Sequence, residues 1–254
     1  MTIPVIFINF GNQDYFAKVV AQAGKRNDVF VLGDGPARTH DLRREHEEEF
    51  ASLYEHLSTN GRAIELFCFT RWFHLQAFMA EQDVPVCLYL DSDVLLYSSA
   101  TQEYEKFRQF DFTLVHRTSG HTSFWTRRGI DGFCAFLLAT YRDKNGYDFD
   151  KIASHFHVRQ KHGLTGGVCD MTLLEYYAYK VWGRVGEMMH IVGGSTYDHN
   201  INVPDQGYAM RDGHKDVHFD ADLPWCMLDT DKVFFNTLHC QGPAKRLISD
   251  YARG

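Results

Sequence analysis

The sequence lacks any apolar run that approaches the ~20 residues needed to span a bilayer. It also lacks an excess of positive charge, because 26 lysine and arginine residues face 33 acidic ones and the formal charge is −7. This balance gives no general electrostatic reason to bind nucleic acid. Residues 1–10 lack the basic segment and the cleavage site of a signal peptide. We therefore expect a cytoplasmic protein with no transmembrane segment and no nucleic-acid partner.

No two of the six cysteines are spaced as a CxxC pair. Most of them lie in apolar surroundings, as Cys68 does between Phe67 and Phe69. Buried free thiols are the expected state, although an even number of cysteines leaves disulfide pairing open. Repeats, low-complexity stretches and Pro/Ser-rich linkers are absent as well. The sequence thus predicts one domain over 1–254, with two abutting halves of about 1–115 and 116–254.

Strand-like and helix-like segments alternate through the first half of the chain. The predicted strands are Ile3–Ile8, Val29–Leu32, Ile64–Phe69 and Val86–Leu90. The predicted helices are Asp14–Ala23, an exposed helix at Asp41–Leu57, and Arg71–Gln82 with Thr70 as its cap. Such alternation predicts an α/β fold in which helices cover both faces of a largely parallel sheet.

The second half is less regular. Residues 183–225 are rich in glycine, histidine and aspartate, which predicts loops and small antiparallel strands around a site. A last strand is predicted at Val233–Leu238, and Gly242-Pro243 is expected to open a terminal helix.

Four Asp-x-Asp pairs occur, at 91/93, 148/150, 220/222 and 229/231. Only Asp91 and Asp93 follow a continuous apolar strand and precede another apolar run, Val94–Leu96. The carboxyl edge of such a strand is where ligands bind in open α/β sheets. In an extended backbone both carboxylates would face one cation, with Ser92 turned away. The alternative is a solvated turn with two unconnected aspartates.

A second informative segment lies near the C-terminus. His239 ends a strand-like run and could offer an imidazole nitrogen to a metal already held by carboxylates. Gly242 would let the backbone approach a ligand, and Pro243 suits the first turn of a helix whose free N–H groups attract phosphate. Lys245 adds a positive charge that could neutralise a diphosphate.

A strand-ending DxD followed by His-x-x-Gly-x-x-Lys resembles the GT-A glycosyltransferases. The resemblance is strongest to the retaining family that includes glycogenin and the lipopolysaccharide galactosyltransferases. It implies a GT-A, Rossmann-like nucleotide-diphospho-sugar transferase fold with a mostly parallel central sheet, flanking helices and a small antiparallel part. It also implies transfer of a sugar, with retention, from a nucleotide-sugar to a hydroxyl acceptor. UDP-sugar is the expected donor, and the acceptor is a saccharide, a lipid-linked molecule or a protein.

The resemblance also implies roles for individual residues. Asp91, Asp93 and His239 match the ligands of Mn²⁺, with Mg²⁺ as the alternative ion. The donor-binding positions, including the start of the nucleotide pocket, are Asn9, Phe10, Arg71, Ser92, Gly242 and Lys245. Lys245 would also stabilise the leaving diphosphate. The chain departs from the family where Arg246-Leu247 replaces Pro-Trp, and where Gly120-His121-Thr122 replaces Asn-x-Gly. The chain therefore resembles a divergent branch of this family.

The acceptor side has weaker signals. Asp170 is a candidate catalytic carboxylate, because it follows a glycine pair and opens a predicted helix, and an ordinary helix N-cap is the alternative. The polar loop Tyr197–Asn202 could line the acceptor site or simply be solvated.

Two other functions compete. A haloacid-dehalogenase-like phosphatase also ends a strand with Asp-x-Asp, but its acidic motif would follow that pair, whereas Gly33-Asp34-Gly35 precedes it. A non-catalytic protein that binds nucleotide-sugars is the second alternative.

Overall fold

The computed structural model describes residues 2–41 and 45–253, apart from the side chains of residues 45 and 46. Its strands are β1 (Val5–Asn9), β2 (Val29–Gly33), β3 (Val86–Leu90), β4 (Val94–Leu96), β5 (Phe112–Leu114), β6 (Thr122–Thr126), β7 (Val185–Glu187), β8 (Ser195–Thr196), β9 (Met210–Arg211), β10 (His214–Lys215), β11 (His218–Asp220), β12 (Leu223–Leu228), β13 (Asp231–Phe235) and β14 (Thr237–His239). Its helices are α1 (Phe16–Gly24), α2 (Glu45–Leu53), α3 (Arg62–Glu81), α4 (Ala100–Tyr104), α5 (Arg127–Arg142), α6 (Tyr147–Lys161), α7 (Asp170–Lys180), a 3₁₀ helix (Gly242–Leu247) and α8 (Ile248–Tyr251).

Six strands form the main sheet, in the order β2-β1-β3-β6-β5-β7. β1 pairs in parallel with β2 and β3, and β5 pairs in parallel with β7. β6 runs antiparallel to both of its neighbours, β3 and β5. The sheet is therefore mostly parallel, as predicted. The carboxyl ends of β1, β2 and β3 lie along one edge, which is where a ligand is expected.

Strand β1 shows why the sheet lies inside the molecule. All of its residues are buried, and their side chains alternate between two cores. Val5 and Phe7 face a core that contains α1 and much of the C-terminal part, whereas Ile6 and Ile8 face a core built by α3 and α5. Burial on both faces explains why the parallel strands are continuous apolar runs instead of alternating ones.

The predicted antiparallel part consists of a four-stranded sheet, β11-β12-β13-β8, in which β8 alone pairs in parallel, a β9–β10 hairpin, and a ribbon of β4 and β14. The ribbon joins the two halves of the chain, because β14 pairs with β4 and sets His239 opposite Val94. The single strand predicted at Val233–Leu238 is in fact two strands. The chain leaves one sheet for the other at Asn236, whose amide donates to Glu103 (2.9 Å).

The segment Ile64–Phe69, predicted as a strand, is helical and belongs to α3. Thr70 is not a helix cap, since it lies within α3 and its hydroxyl donates to the carbonyl of Phe67 (3.4 Å). Helices α2, α5 and α7 and strand β1 all pack against α3. Apolar residues therefore occur around much of its circumference, which hides the helical period, and packing overrides the strand preference of the run.

Helix α2 differs from the exposed helix predicted at Asp41–Leu57. It spans Glu45–Leu53, and residues 42–44 of the prediction lie outside the described residues. One of its faces is buried, since Phe50 is inaccessible to solvent and packs on Phe73 and Tyr141. Many charges surround a single apolar anchor in this segment, so the sequence alone favours an exposed helix.

The cysteines and the helix lengths agree with the composition. All six cysteines are free, and burial raises the pKa of the Cys68 thiol to about 12. Within the parts of the chain that the structure describes, no helix combines the length and the hydropathy required to cross a bilayer.

Candidate active site

The aspartate pair lies in a turn at the end of β3. The N–H of Val94 donates to the carbonyl of Asp91 (3.1 Å), and the N–H of Asp91 donates to the carbonyl of His121 (2.8 Å). The backbone is therefore not extended here, because the chain bends to leave the main sheet and enter β4. As a consequence the two carboxylates face different partners, and Ser92 lies half-buried between them.

Asp91 and Asp170 share one buried arginine. The guanidinium of Arg71 donates to Asp91 (2.7 Å) and to Asp170 (2.6 Å), and Tyr89 and Trp72 add hydrogen bonds to the two carboxylates. Burial alone would lower the pKa of Arg71, but Asp170 and Asp91 outweigh it and raise that pKa well above its usual value. Arg71 is thus a permanent cation beneath the aspartate turn.

Asp170 is the first residue of α7, and the N-cap position belongs to Cys169. The N-cap alternative for Asp170 is therefore wrong. Its carboxylate is buried, and Oδ2 accepts from both Arg71 and Trp72. The structure places this residue under the site as an ion-pair partner of Arg71, and its catalytic role stays a prediction.

Asp93 lies between an imidazole and an ammonium group from a distant part of the chain. Its carboxylate is 3.5 Å from Nε2 of His239 and 3.2 Å from Nζ of Lys245. Burial raises the pKa of Asp93, but His239 and Lys245 outweigh that effect and hold it below its usual value. Burial lowers the pKa of His239, whereas Asp93 raises it, and the net shift is upward. The geometry therefore joins three predicted site residues from opposite ends of the sequence.

The imidazole of His239 is held in one orientation from behind. Its Nδ1 donates to the carbonyl of His199 (2.6 Å), since a carbonyl oxygen can only accept. Its backbone N–H donates to the carboxylate of Asp198 (2.9 Å). Nε2 is left directed at Asp93. In a histidine that binds a metal, the ring nitrogen that does not touch the metal usually makes a hydrogen bond that orients the ring. In His239, Nδ1 makes such a hydrogen bond.

A buried charged cluster supports this arrangement. The ammonium of Lys215 contacts Asp198 (2.6 Å) and Asp205 (2.5 Å), and Asp205 in turn contacts Nδ1 of His199 (3.1 Å). Burial would lower the pKa of Lys215, but Asp198 and Asp205 raise it above its usual value. The solvated alternative for the loop Tyr197–Asn202 is therefore wrong at Asp198. Sequence reasoning missed Lys215, because a lysine among polar loop residues is normally exposed.

The side chains at this site suit a divalent cation, but their arrangement does not form a complete binding site. Within residues 2–41 and 45–253, no three or more His, Cys, Asp and Glu side chains are positioned to hold a metal ion. Asp93 and His239 lie together, whereas Asp91 turns toward Arg71. Carboxylates with an imidazole are a donor set that suits Mn²⁺ and also accepts Mg²⁺. Lys245 is 40% exposed, so its ammonium can leave Asp93 for solvent or for a ligand.

His121 is a further residue of this site that sequence reasoning missed. Its Nδ1 is 2.9 Å from the hydroxyl of Thr122, its Nε2 is buried with no hydrogen-bond partner, and its ring centroid is 3.9 Å from that of His239. Burial, followed by the nearby His239 and His199, lowers the pKa of His121 well below its usual value. The imidazole is therefore neutral. The sequence did contain one signal, because His121 occupies the position where the family has its Asn-x-Gly motif.

The predicted nucleotide pocket begins at the end of β1. Asn9 is buried and its amide donates to the carbonyl of Gly11 (3.4 Å), while the ring of Phe10 packs on Phe67. A cavity of about 380 Å³ opens beside them, lined chiefly by residues 11–14, 16 and 17. Asn9 and Phe10 thus support the turn, and the residues that follow them face the cavity. Tyr15, the residue between the lining residues Asp14 and Phe16, has its ring 5.9 Å from Nζ of Lys245.

Gly242 has a φ of +60°, in the left-handed region that favours glycine. A Cβ there would meet no atom within 4 Å, so the backbone conformation, and not crowding, explains the glycine. The terminal helix predicted here opens at Gly242 as a 3₁₀ helix over Gly242–Leu247 and continues as α8. The tight turn after Gly242 and Pro243 directs Lys245 back toward Asp93.

No protein-family model matches the sequence, and no curated protein matches it significantly. Solved structures do resemble the fold. Mouse xyloside xylosyltransferase 1, in its apo form, aligns with a TM-score of 0.55 over 95% of this chain and 98% of that chain, at 8% identity. An active-site mutant of LgtC aligns with a TM-score of 0.47 over 98% and 95%, at 12% identity. A glycosyltransferase involved in glycosylation of the major capsid of PBCV-1 gives 0.41 over 74% and 81%, at 14% identity.

The likeness to the mouse xylosyltransferase covers nearly the full length of both chains. Together with the sheet order and the single antiparallel strand β6, it establishes the GT-A fold for this chain. The fold class predicted from the sequence is confirmed.

Proposed function

We propose that this chain is a metal-dependent glycosyltransferase. It moves a sugar from a nucleotide-sugar to a hydroxyl acceptor with retention of configuration, and its preferred donor is a UDP-sugar. The observation that carries the proposal is the contact of Asp93 with both His239 (3.5 Å) and Lys245 (3.2 Å) at the sheet edge of a GT-A fold. The mouse protein that shares the fold is a xylosyltransferase by name, which supports glycosyl transfer. The motif supports the glycogenin-like and lipopolysaccharide galactosyltransferase-like branch.

On the donor side, Asp93 and His239 would hold the cation, and Asp91 would join them by turning from Arg71. A bound Mn²⁺ or Mg²⁺ neutralises negative charge on the departing diphosphate. Lys245 would leave Asp93 for the diphosphate, and the open backbone at Gly242 gives that ligand room. Arg71 would remain beneath the turn as fixed positive potential.

The nucleotide would occupy the cavity beside the end of β1. That cavity is bounded by the turn that Asn9 and Phe10 support, and the ring of Tyr15, which follows the lining residue Asp14, lies 5.9 Å from Nζ of Lys245. The base and the diphosphate would then lie along one edge of the sheet. Ser92, half-buried in the aspartate turn, would contribute to donor binding there.

The burial of Asp170 favours retention. An inverting enzyme needs a carboxylate that can accept a proton from the acceptor hydroxyl. Asp170, the carboxylate candidate from the sequence, is buried and ion-paired to Arg71 (2.6 Å). Its Oδ2 is already engaged by Arg71 and Trp72, so this carboxylate serves the ion pair and not an acceptor hydroxyl. A front-face retaining mechanism needs no such base.

The test is a thermal-shift panel of UDP, UDP-sugars and GDP-sugars, each with and without Mn²⁺. We expect a stabilisation that is selective for uridine nucleotides and depends on the metal. Asp93→Asn should abolish it, whereas Asp231→Asn, from an exposed Asp-x-Asp pair, should leave it unchanged. A nucleotide response that ignores Mn²⁺, or one that survives Asp93→Asn, would contradict the proposed site.

Hydrolysis of the donor separates an enzyme from a non-catalytic binding protein. We expect slow, Mn²⁺-dependent hydrolysis of a UDP-sugar that is lost in Asp93→Asn. Metal-dependent binding without any detectable hydrolysis would favour the non-catalytic alternative. The phosphatase alternative finds no support in a GT-A fold.

A further inference from the structure

A row of histidine rings leads away from the Asp93 cluster into the second half of the molecule. Measured between ring centroids, His121 is 3.9 Å from His239, His199 is 6.4 Å from His121, and His116 is 5.2 Å from His199. These residues come from three separate segments, because His116 and His121 lie in the same loop between β5 and β6. The row connects the candidate active site to the open surface at His116.

Two cavities continue from this point. His116 and Asp205 line the first, which has a volume of about 350 Å³, and the second has a volume of about 380 Å³. Both are bordered by Arg117, Glu187 and His190. Because they share one wall, we treat them as a single groove that starts at the histidine row.

The far end of the groove presents two aromatic rings to solvent. Tyr179 and Trp182 are 62% and 66% exposed, although large aromatic side chains usually lose most of their surface on folding. Their rings are parallel to within 7° and their centroids are 6.3 Å apart. The guanidinium of Arg117 lies 5.0 Å from the ring of Trp182. These contacts hold the rings in place while leaving their outer surface free.

The loop between the two cavities is strained. His116 and Arg117 have φ values of 55° and 58°, in the left-handed region, and neither is glycine. Glu187 fixes the loop, because its carboxylate accepts from the backbone N–H of His116 (3.0 Å) and of Met189 (2.9 Å). Strain of this kind persists only where surrounding contacts impose it, and it concentrates at ligand-binding sites.

We propose that this groove binds the acceptor, and that the acceptor is a neutral saccharide. One sugar ring lies against the Tyr179–Trp182 surface, and the reactive hydroxyl points along the histidine row toward Asp93. The assignment of this saccharide as acceptor rests on the proposed function.

The lining of the groove favours that ligand chemistry. Aromatic rings cover the apolar faces of a sugar, while a few polar groups fix its orientation through hydrogen bonds. Arg117 and Lys106 are balanced by Glu175 and Glu187 in the larger cavity. Asp205, which lines the smaller cavity, is paired with Lys215. A groove with balanced charge suits a neutral ligand better than a phosphorylated or strongly basic one.

Saccharide binding can be measured without any donor. Cellobiose and maltotriose would be titrated against the full chain by calorimetry and by ligand-observed NMR. We expect the wild-type protein to bind at least one of them in the millimolar range. Trp182→Ala should weaken binding about tenfold, because it removes the stacking surface. Tyr179→Ala should weaken it in the same direction.

Matched controls come from aromatic residues outside the groove. Trp225→Ala removes a partly exposed ring that stacks on His218, and Tyr147→Ala removes a side chain that is 77% exposed on α6. Both should bind the saccharides as the wild type does. The proposal is overturned if neither saccharide binds, or if Trp182→Ala binds as tightly as Trp225→Ala.

The thermal-shift response to UDP with Mn²⁺ separates this inference from the proposed function. A normal UDP response in Trp182→Ala, combined with weakened saccharide binding, supports the groove and shows that the variant is folded. A normal UDP response combined with no saccharide binding by the wild type would overturn the groove proposal and leave the proposed function intact. If saccharide binding depends on Trp182 but the protein shows no response to UDP, the proposed function is overturned. The groove is then still supported as a saccharide-binding site.

Discussion

Lys215 carries its charge where no water reaches it. Its side chain has no exposed surface, and it contacts two carboxylates, those of Asp198 and Asp205. Asp198 accepts from the backbone of His239, so this buried lysine supports a residue of the candidate active site without touching it. Buried ion pairs contribute little net stability as a whole, but the loss of one partner is costly.

We therefore expect Lys215→Met to lower the free energy of unfolding by about 3–5 kcal/mol, because it leaves two carboxylates buried without a cation. Urea denaturation followed by circular dichroism would measure the change. Lys232→Met is the matched control, since Lys232 pairs with the largely exposed Asp220 and exposed pairs contribute at most about 1 kcal/mol. Equal losses in the two variants would show that the cluster does not have the role described.

At the scale of elements, α3 and β6 meet at a glycine. Gly120 lies just before β6, and a Cβ at this position would approach the ring of Trp72 on α3 to 2.5 Å. Trp72 is fully buried and donates to Asp170, next to Arg71. The spacing between this helix and the sheet is therefore set by the absence of one methyl group.

Gly120→Ala should destabilise the protein by about 1–3 kcal/mol, as expected for overpacking a core. Gly24→Ala is the control, because a Cβ there meets no atom within 4 Å, and it should be neutral or stabilising by up to about 1 kcal/mol. Thermal or urea unfolding of both variants measures the difference. If Gly120→Ala were as stable as Gly24→Ala, the contact between α3 and β6 would be looser than described.

Elements with a strong local signal could be predicted from the sequence. Strand β3 could be identified as an apolar run that ends at the carboxylates of Asp91 and Asp93. His239 and Lys245 could be identified by their spacing in the motif. Helix α3 could not be identified over its full length, because its partners on several sides place apolar residues around most of its surface. The bend between Asp91 and Asp93 also depends on β14, which follows much later in the chain.

At the scale of the whole molecule, the two halves of the sequence share one core. Val5 packs in the same cluster as Cys226, Phe235 and Leu238. His121, His199 and Lys215 illustrate what the sequence could not reveal, since their partners are distant along the chain and polar residues in loops are usually solvated.

A shared core predicts a single cooperative unfolding transition for the full chain. Circular dichroism in the far ultraviolet reports all helices and strands, whereas tryptophan fluorescence reports chiefly the buried Trp72 and Trp125. The two midpoints should coincide in urea. Two separated transitions would show that the halves at about 1–115 and 116–254 unfold independently.

The ribbon of β4 and β14 has a consequence for the order in which the protein matures during translation. Asp93 leaves the ribosome long before His239 and Lys245, the partners that compensate its charge. Until residues 237–245 emerge, β4 lacks its pairing strand and the aspartate turn lacks the side chains of His239 and Lys245. A nascent chain can therefore form β1, β2 and β3 early, but it completes the candidate active site only after residue 245 has emerged.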